Sequence, residues 1–462
     1  MRIRLDIPLY LSDIKNAIGA ECDIKNIEVT HITTDSRECF AGDLFIALRG
    51  KDNNGENYVS EAISKGAYAV TAQGIENSLT VKDTLSALLD LSKHYKSKLK
   101  KLKYTIAITG SVGKTTTKEF LKIICDGKYK THATKGNENN LLGVPLTILS
   151  AKADTEIMIL EMGMNHVGEI SLLSKCAAPD ISVITNIGTA HIGMLKSRTN
   201  IAKAKLEIKD GMNGGKLILP YDERLLHGQD QAYYFSLKNK GADIYILYNE
   251  GNVTVLNKNG YYTTSFKPSG EHNLECLCAA VLAAQSIDIP QDVIARQISS
   301  ISDENTRQSI INVKNFHILA DYYNASYESI KAAINHLCAL KGYTKKSVLL
   351  GTVLELGDMS EEIHRKIGRY AAKKNLNNLY LYGEYAKSIR RGAIDAGYPE
   401  DKIFINENRD DPRRTALQIS QNCTEGEIIL FKASNAIKLG NVLEELEAII
   451  HKNSKGDGRN GR

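Results

Sequence analysis

A chain of 462 residues exceeds what one hydrophobic core supports and implies about two to four domains. Hydrophobic residues make up 42% and charged residues 24%, as in an ordinary soluble globular protein. The net charge of +5 is small for this length and weakly favours anionic ligands, while the absence of a basic patch interleaved with aromatics gives no case for nucleic acid.

The eight cysteines are scattered. Only Cys276 and Cys278 lie close together, on a predicted helix, and no zinc-ligand spacing is present, so reduced thiols are expected. The N-terminus lacks a signal-peptide pattern, and no apolar run approaches the roughly 18 residues that span a bilayer. A cytoplasmic protein without membrane insertion is expected.

Residues 1–103 read as a small α/β domain. Leu44 to Leu48 and Ala67 to Val70 are predicted strands. Leu85, Leu88 and Leu89 have helical spacing, which Ser92 interrupts one turn later. The basic stretch Lys96 to Lys103 suits an exposed connection. Residues 104–304 alternate strands and helices. Ile157 to Leu160 and Ile181 to Thr185 are strands, Ile244 to Phe266 is β-rich, and a helix begins near His272. This βαβ order predicts a mostly parallel sheet with a site at the strand carboxyl ends. Residues 305–451 repeat the pattern in a Rossmann-like domain, with strands at Val348 to Leu350, Leu379 to Tyr382 and Ile428 to Phe431. Residues 452–462 read as a disordered basic tail.

The central stretch is Thr105 to Thr117. A short apolar strand, Ile106 to Thr109, leads into Gly110-Ser111-Val112-Gly113-Lys114-Thr115-Thr116, and a helical run follows from Lys118 to Cys125. Strand, glycine loop, Lys-Thr and helix form a phosphate-binding loop. Its glycines turn backbone N–H groups toward an anion, and the helix adds its positive end. Lys114 reaches the β/γ-phosphates of a nucleotide and the Thr115 hydroxyl takes Mg²⁺. The first glycine of the usual pattern is replaced by Ile108, so the loop starts two residues late, at Gly110.

Glu161 ends an apolar strand, where a carboxylate can hold Mg²⁺ opposite a phosphate loop or simply be solvated. His191 lies past the next strand and is equally readable as structural or functional. Asn200 is positioned to cap a helix in which Ile201, Lys205 and Ile208 share one face. A lysine on an apolar face either snorkels to water or is used. Asn137, Asn139 and Asn140 offer amides for phosphates or substrate carbonyls, or for turns alone.

In order and spacing, these motifs resemble the Mur ligases, the ATP-dependent amide-bond-forming ligases of peptidoglycan synthesis. The motifs are the phosphate loop, Gly136 to Asn140, Glu161-Met162-Gly163-Met164, Thr185-Asn186-Ile187 with Ala190-His191, and Ala204 to Ile208. Thr34-Asp35-Ser36-Arg37 and Gly42 to Gly50 resemble the family's uridine-nucleotide-binding domain. The resemblance implies three domains, for the UDP-substrate, for ATP, and a C-terminal one. It implies ATP and Mg²⁺ as cofactors, UDP-N-acetylmuramoyl-peptide and a D-amino-acid dipeptide as substrates, and a monomer.

Residue by residue, the resemblance places Gly110 to Thr116, Asn137, the pair His272-Asn273, Arg307 and Asp321 with ATP. It places Ser36, Arg37, Asn139, Asn140 and Ser434 with substrate. Thr115 and Glu161 hold one Mg²⁺. His191 and a carbamylated Lys205 hold a second. Lys114, His191 and Lys205 form the catalytic set. The expected reaction forms an acyl phosphate, which an amine then attacks.

Departures from the family pattern cluster in the last third. Ala320 to Tyr327 keeps one aspartate, Asp321, of an expected pair, and Asn435 stands where an arginine is usual. These changes bear on the amine substrate. A paralogue joining another amine or acyl donor and a silent ATP-binding regulator are the alternative readings.

Overall fold

The computed structural model describes residues 2–456 apart from 22–24, 51–52, 259, 268–269, 303–308 and 315. Three sheets divide it. The first has five strands: β1 Arg2–Tyr10, β2 Glu28–Thr33, β3 Leu44–Ile46, β4 Tyr68–Thr71 and β5 Ser78–Thr80, in that spatial order. Only β1 runs antiparallel to its neighbour.

The second sheet has nine strands: β6 Tyr104–Thr109, β7 Thr131–Ala133, β8 Ile157–Glu161, β9 Ile181–Ile184, β10 Lys216–Pro220, β11 Ala232–Ser236, β12 Ile244–Asn249, β13 Asn252–Asn257 and β14 Gly260–Ser265. Their order is β14-β13-β12-β11-β10-β9-β6-β8-β7. Strands β6 to β12 pair in parallel, and β12 to β14 form an antiparallel meander. The third sheet contains β15 Ser309–Val313, β16 Phe316–Ala320, β17 Lys346–Gly351, β18 Leu379–Tyr382, β19 Ile403–Asn406 and β20 Ile428–Lys432, ordered β15-β16-β20-β17-β18-β19. It too is parallel except at the β15 edge.

Strand β6 shows why the centre folds this way. Its run Thr-Ile-Ala-Ile-Thr is buried throughout, as both faces of a parallel sheet are covered. It lies between β8 and β9, so its carboxyl end opens between theirs. Helix Lys114–Asp126 follows at once and packs on helix Glu271–Gln285, whose middle is buried alanine, leucine, valine and cysteine. Phe120 meets Phe266 edge-on at 5.8 Å between ring centres.

Several sequence expectations are corrected in detail. The phosphate-loop helix starts at Lys114, a turn earlier than read from its apolar positions, because the lysine and threonines wind into its first turn. Ser92 does not interrupt its helix, Thr84–Lys98: it is buried, and its hydroxyl donates to the Leu89 carbonyl at 2.8 Å. Lys96 is not part of an exposed connection. Its ammonium donates to the carbonyls of Ala177 and Ala178 at the end of helix Glu169–Ala177. Helix Leu439–Gly456 runs past residue 452, and the rest of the expected tail lies outside the described residues. Among the described residues no helix is long and apolar enough to cross a membrane.

Candidate active site

The phosphate loop is shaped from outside by the end of β9. Thr185 donates its hydroxyl to the Val112 carbonyl at 2.6 Å. Asn186 accepts the Val112 N–H at 3.0 Å and donates back to the Val112 carbonyl at 2.9 Å. Gly110 lies at φ +150°, and a Cβ there would sit 1.8 Å from Thr185 Oγ1. Gly113 lies at φ +84°, with Cys276 Sγ 2.8 Å from its missing Cβ. Both positions therefore require glycine, on steric and backbone grounds together. Ile108, where the usual motif carries its first glycine, is buried inside β6. The loop is short because β6 continues through Ile108 to Thr109.

Lys114 opens the helix and donates to the Gly110 carbonyl at 2.9 Å. The next residue, Thr115, donates its hydroxyl to Glu161 Oε2 at 2.7 Å, and Asn139 donates its amide to Glu161 Oε1 at 2.7 Å. Glu161 is buried at the end of β8, so both its oxygens are held by fixed donors. Its own N–H donates to Thr134 Oγ1 at 3.0 Å, and the wholly buried Lys118 donates to the Thr134 carbonyl at 2.6 Å. Asn140 instead accepts the N–H groups of Leu142 and Gly143, which is the turn alternative raised from the sequence.

His191 stands at φ +62°, ahead of the short helix Ile192–Leu195, and its Nδ1 lies 2.6 Å from Glu355 Oε2 of the third sheet's domain. Helix Arg198–Leu206 is capped by Ser197, three residues before Asn200, whose N–H the serine hydroxyl accepts. Asn200 instead donates its side-chain amide to the Leu195 carbonyl at 2.7 Å. Lys205 shares a buried face with Ile201 and Ile208 and is only 2% exposed. Burial first, and then the nearby charge of Lys114, hold its ammonium well below the ordinary lysine value. Among the described residues no carboxylate pairs with it.

These groups line one cavity of about 320 Å³ between the second and third sheets. Ser111 to Thr116, Asn137, Asn139, Asn140, Glu161, His191, Lys205, His272 and Asn273 face it from one side, and Asp321, Glu355 and Lys432 from the other. Lys432 donates to Asp321 Oδ1 at 2.8 Å and to the Asn324 carbonyl at 2.7 Å, fixing the aspartate at the domain boundary. His272 is pushed down to about 4 chiefly by burial, so it is neutral at neutral pH.

Not every residue named from the sequence is gathered here. Ser36 and Arg37 lie in the first domain, outside this cavity. Ser36 donates to Glu61 at 2.8 Å, and Arg37 is exposed and paired with Asp35 at 2.7 Å. Ser434 does not line the cavity either: its hydroxyl accepts the Leu354 N–H at 3.0 Å and joins the ends of β17 and β20. Arg307 lies outside the described residues. Sequence reading missed Glu355 and Lys432. A lysine ending the apolar run of β20 was the available signal for Lys432.

The donor set fits Mg²⁺. A threonine hydroxyl and a pre-oriented buried carboxylate are hard oxygen donors beside a phosphate loop. Among the described residues no three His, Cys, Asp or Glu side chains gather to hold a metal by themselves.

Comparisons with known proteins identify the family. Residues 28–95 match the Mur ligase family catalytic domain, 108–284 the Mur ligase middle domain, and 306–435 the Mur ligase glutamate ligase domain. The chain belongs to the Mur ligase family. It is 36% identical over 90% of its length to the UDP-N-acetylmuramoyl-tripeptide–D-alanyl-D-alanine ligase of Bacillus subtilis, covering 92% of that protein. The Escherichia coli ligase of the same name is 27% identical over 86% of this chain and 91% of its own. Among solved structures, MurF from Acinetobacter baumannii superposes with a TM-score of 0.87 at 28% identity, covering 96% of this chain and all of that one. MurF from Thermotoga maritima, solved in complex with ADP, gives 0.78 at 27% identity over 91% of this chain and 98% of its own.

Proposed function

We propose that this chain is an ATP-dependent ligase that joins D-alanyl-D-alanine to UDP-N-acetylmuramoyl-tripeptide, yielding ADP and phosphate. The observation that carries the reading is the buried Glu161, held by Thr115 and Asn139 beside the phosphate loop and lining one cavity with Lys205 and His191. The relatives named for this reaction match nearly the whole chain.

The tripeptide carboxylate attacks the γ-phosphorus of ATP in line, and the bond to ADP breaks with its electron pair. The loop N–H groups and Lys114 take the negative charge that develops on the phosphates. The amine of the dipeptide then attacks the acyl phosphate carbonyl. The tetrahedral centre collapses by expelling phosphate, and the ammonium proton passes to solvent. His272, Asn273, Asp321 and, outside the described residues, Arg307 are assigned to the nucleotide. Ser36 and Arg37 are assigned to the uridine end of the substrate. Thr115 and Glu161 would hold one Mg²⁺, and His191 with a carbamylated Lys205 a second, and these ions would supply charge neutralisation at the phosphates. Closure of the third domain over the cavity excludes water from the acyl phosphate. The working unit is a monomer.

The test is mass spectrometry of the product. Incubation with ATP, UDP-N-acetylmuramoyl-tripeptide and D-alanyl-D-alanine gives the corresponding pentapeptide, and Lys114→Ala gives none. A second reading, an enzyme of the same chemistry with a different amine, is favoured by Asn435, a neutral residue heading the turn Asn435–Ile437 where an arginine is usual. It is answered by supplying other amines in the same assay.

A further inference from the structure

Two short segments from different domains meet beside the cavity. One carries His191 and Gly193, the other Glu355 and Gly357. His191 and Glu355 both stand in the left-handed region, at φ +62° and +64°, which few residues other than glycine adopt. The contact is close enough to exclude side chains. A Cβ on Gly193 would lie 2.4 Å from Gly357 N, and one on Gly357 would lie 2.9 Å from Gly193 Cα. Gly193 N–H donates to the Glu355 carbonyl at 3.0 Å. Leu356, next to Glu355, is buried.

This seating brings one side-chain pair together: His191 Nδ1–H donates to Glu355 Oε2 at 2.6 Å. A carboxylate on Nδ1 fixes the tautomer and leaves Nε2 bare, and metal-binding histidines are commonly oriented in this way. Here the orienting carboxylate comes from a different domain than the histidine.

We propose that Glu355 is a positioning residue. It turns His191 Nε2 toward the cation site, so that this site is complete only when the C-terminal domain is docked. The inference rests on the reading of His191 as a Mg²⁺ ligand. It gives Glu355 a task that nothing else in the cavity performs, and it couples domain docking to cation binding.

The experiment counts bound Mn²⁺ on the full chain by electron paramagnetic resonance, with a non-hydrolysable ATP analogue present. The variants are His191→Ala, Glu355→Ala, Glu355→Gln and Asp358→Ala. Asp358 makes an exposed contact with Lys196 across the same boundary and serves as a control for docking alone. The expected result is two Mn²⁺ in the wild type and loss of one in His191→Ala. Glu355→Ala weakens that same ion about 10–100-fold. Glu355→Gln, which still accepts from Nδ1–H, recovers much of the affinity, and Asp358→Ala binds as wild type. Wild-type binding of both ions by Glu355→Ala, with loss of one in His191→Ala, overturns the inference and leaves the His191 reading standing. Retention of both ions by His191→Ala overturns that reading and the inference with it. Glu355→Gln as weak as Glu355→Ala shows that charge matters rather than ring orientation, and also overturns it.

Discussion

Asn139 donates its side-chain amide to Glu161 Oε1 at 2.7 Å, holding one carboxylate oxygen while Thr115 holds the other. The relationship makes Asn139 a support for Glu161, the carboxylate proposed to hold Mg²⁺. Asn139→Ala is expected to raise the Mg²⁺ concentration for half-maximal activity about 10–100-fold, as loss of an outer partner does at metal sites. Glu161→Ala should go further and abolish turnover at any attainable Mg²⁺. A magnesium titration of steady-state rate checks both. An unchanged requirement in Asn139→Ala would confine that residue to the turn.

Gly110→Ala is expected to destroy nucleotide binding without unfolding the chain. The added Cβ would sit 1.8 Å from Thr185 Oγ1, the hydroxyl that shapes the loop through the Val112 carbonyl. Calorimetric titration with ADP, alongside a melting curve, separates the two effects. Wild-type ADP affinity would remove the steric argument.

Lys205 is buried with Ile201 and Ile208, and an ordinary lysine, with a pKa near ~10.4, would be almost entirely charged at neutral pH. Burial favours the neutral amine, the form that captures CO₂ as a carbamate. Lys205→Ala is expected to lose activity about 100-fold or more, the scale of removing a transition-state electrostatic group. Added acetate should restore part of it by supplying a carboxylate in the vacated space. Full activity of Lys205→Ala, or no rescue by any short-chain acid, would count against the carbamate.

His364 supplies a pH prediction. Its Nε2 accepts the Val353 N–H at 2.9 Å and its Nδ1–H donates to the Ser360 carbonyl at 2.6 Å, so the folded site accommodates only the neutral ring. Burial pushes it down to about 4. The unfolded chain, with a histidine near ~6.5, binds the proton first as pH falls. Stability from this residue is therefore full above about pH 6.5 and lost progressively down to about pH 4, with a slope approaching ~1.4 kcal/mol per pH unit. Urea unfolding across that range should show a shallower pH dependence in His364→Gln than in the wild type. Equal slopes would contradict the burial argument.

Much of this arrangement was legible in the sequence because local patterns encode it. The strand, glycine loop and lysine at Thr105 to Thr117, the carboxylate ending β8 and the lysine among isoleucines all carry their chemistry in short spacing. What the sequence hid lies in long-range pairing. Nothing local marks Asn139 as a partner of Glu161, Lys432 as a partner of Asp321, or Glu355 as the residue that meets His191. Ser92 misled because a buried serine can satisfy its hydroxyl within its own helix. Lys96 misled because its ammonium ends on the last carbonyls of a helix from another domain. Asn200 looked like a cap, but Ser197, one turn earlier, has the extended backbone that capping needs.

The most direct measurement is phosphate release by the purified full chain with ATP and UDP-N-acetylmuramoyl-tripeptide, across a panel of amines that includes D-alanyl-D-alanine. The expected result is one phosphate per peptide bond formed, with D-alanyl-D-alanine far ahead of the other amines and Lys114→Ala silent. Ligation confined to a different amine, or no phosphate release with any amine while ADP still binds, would contradict it.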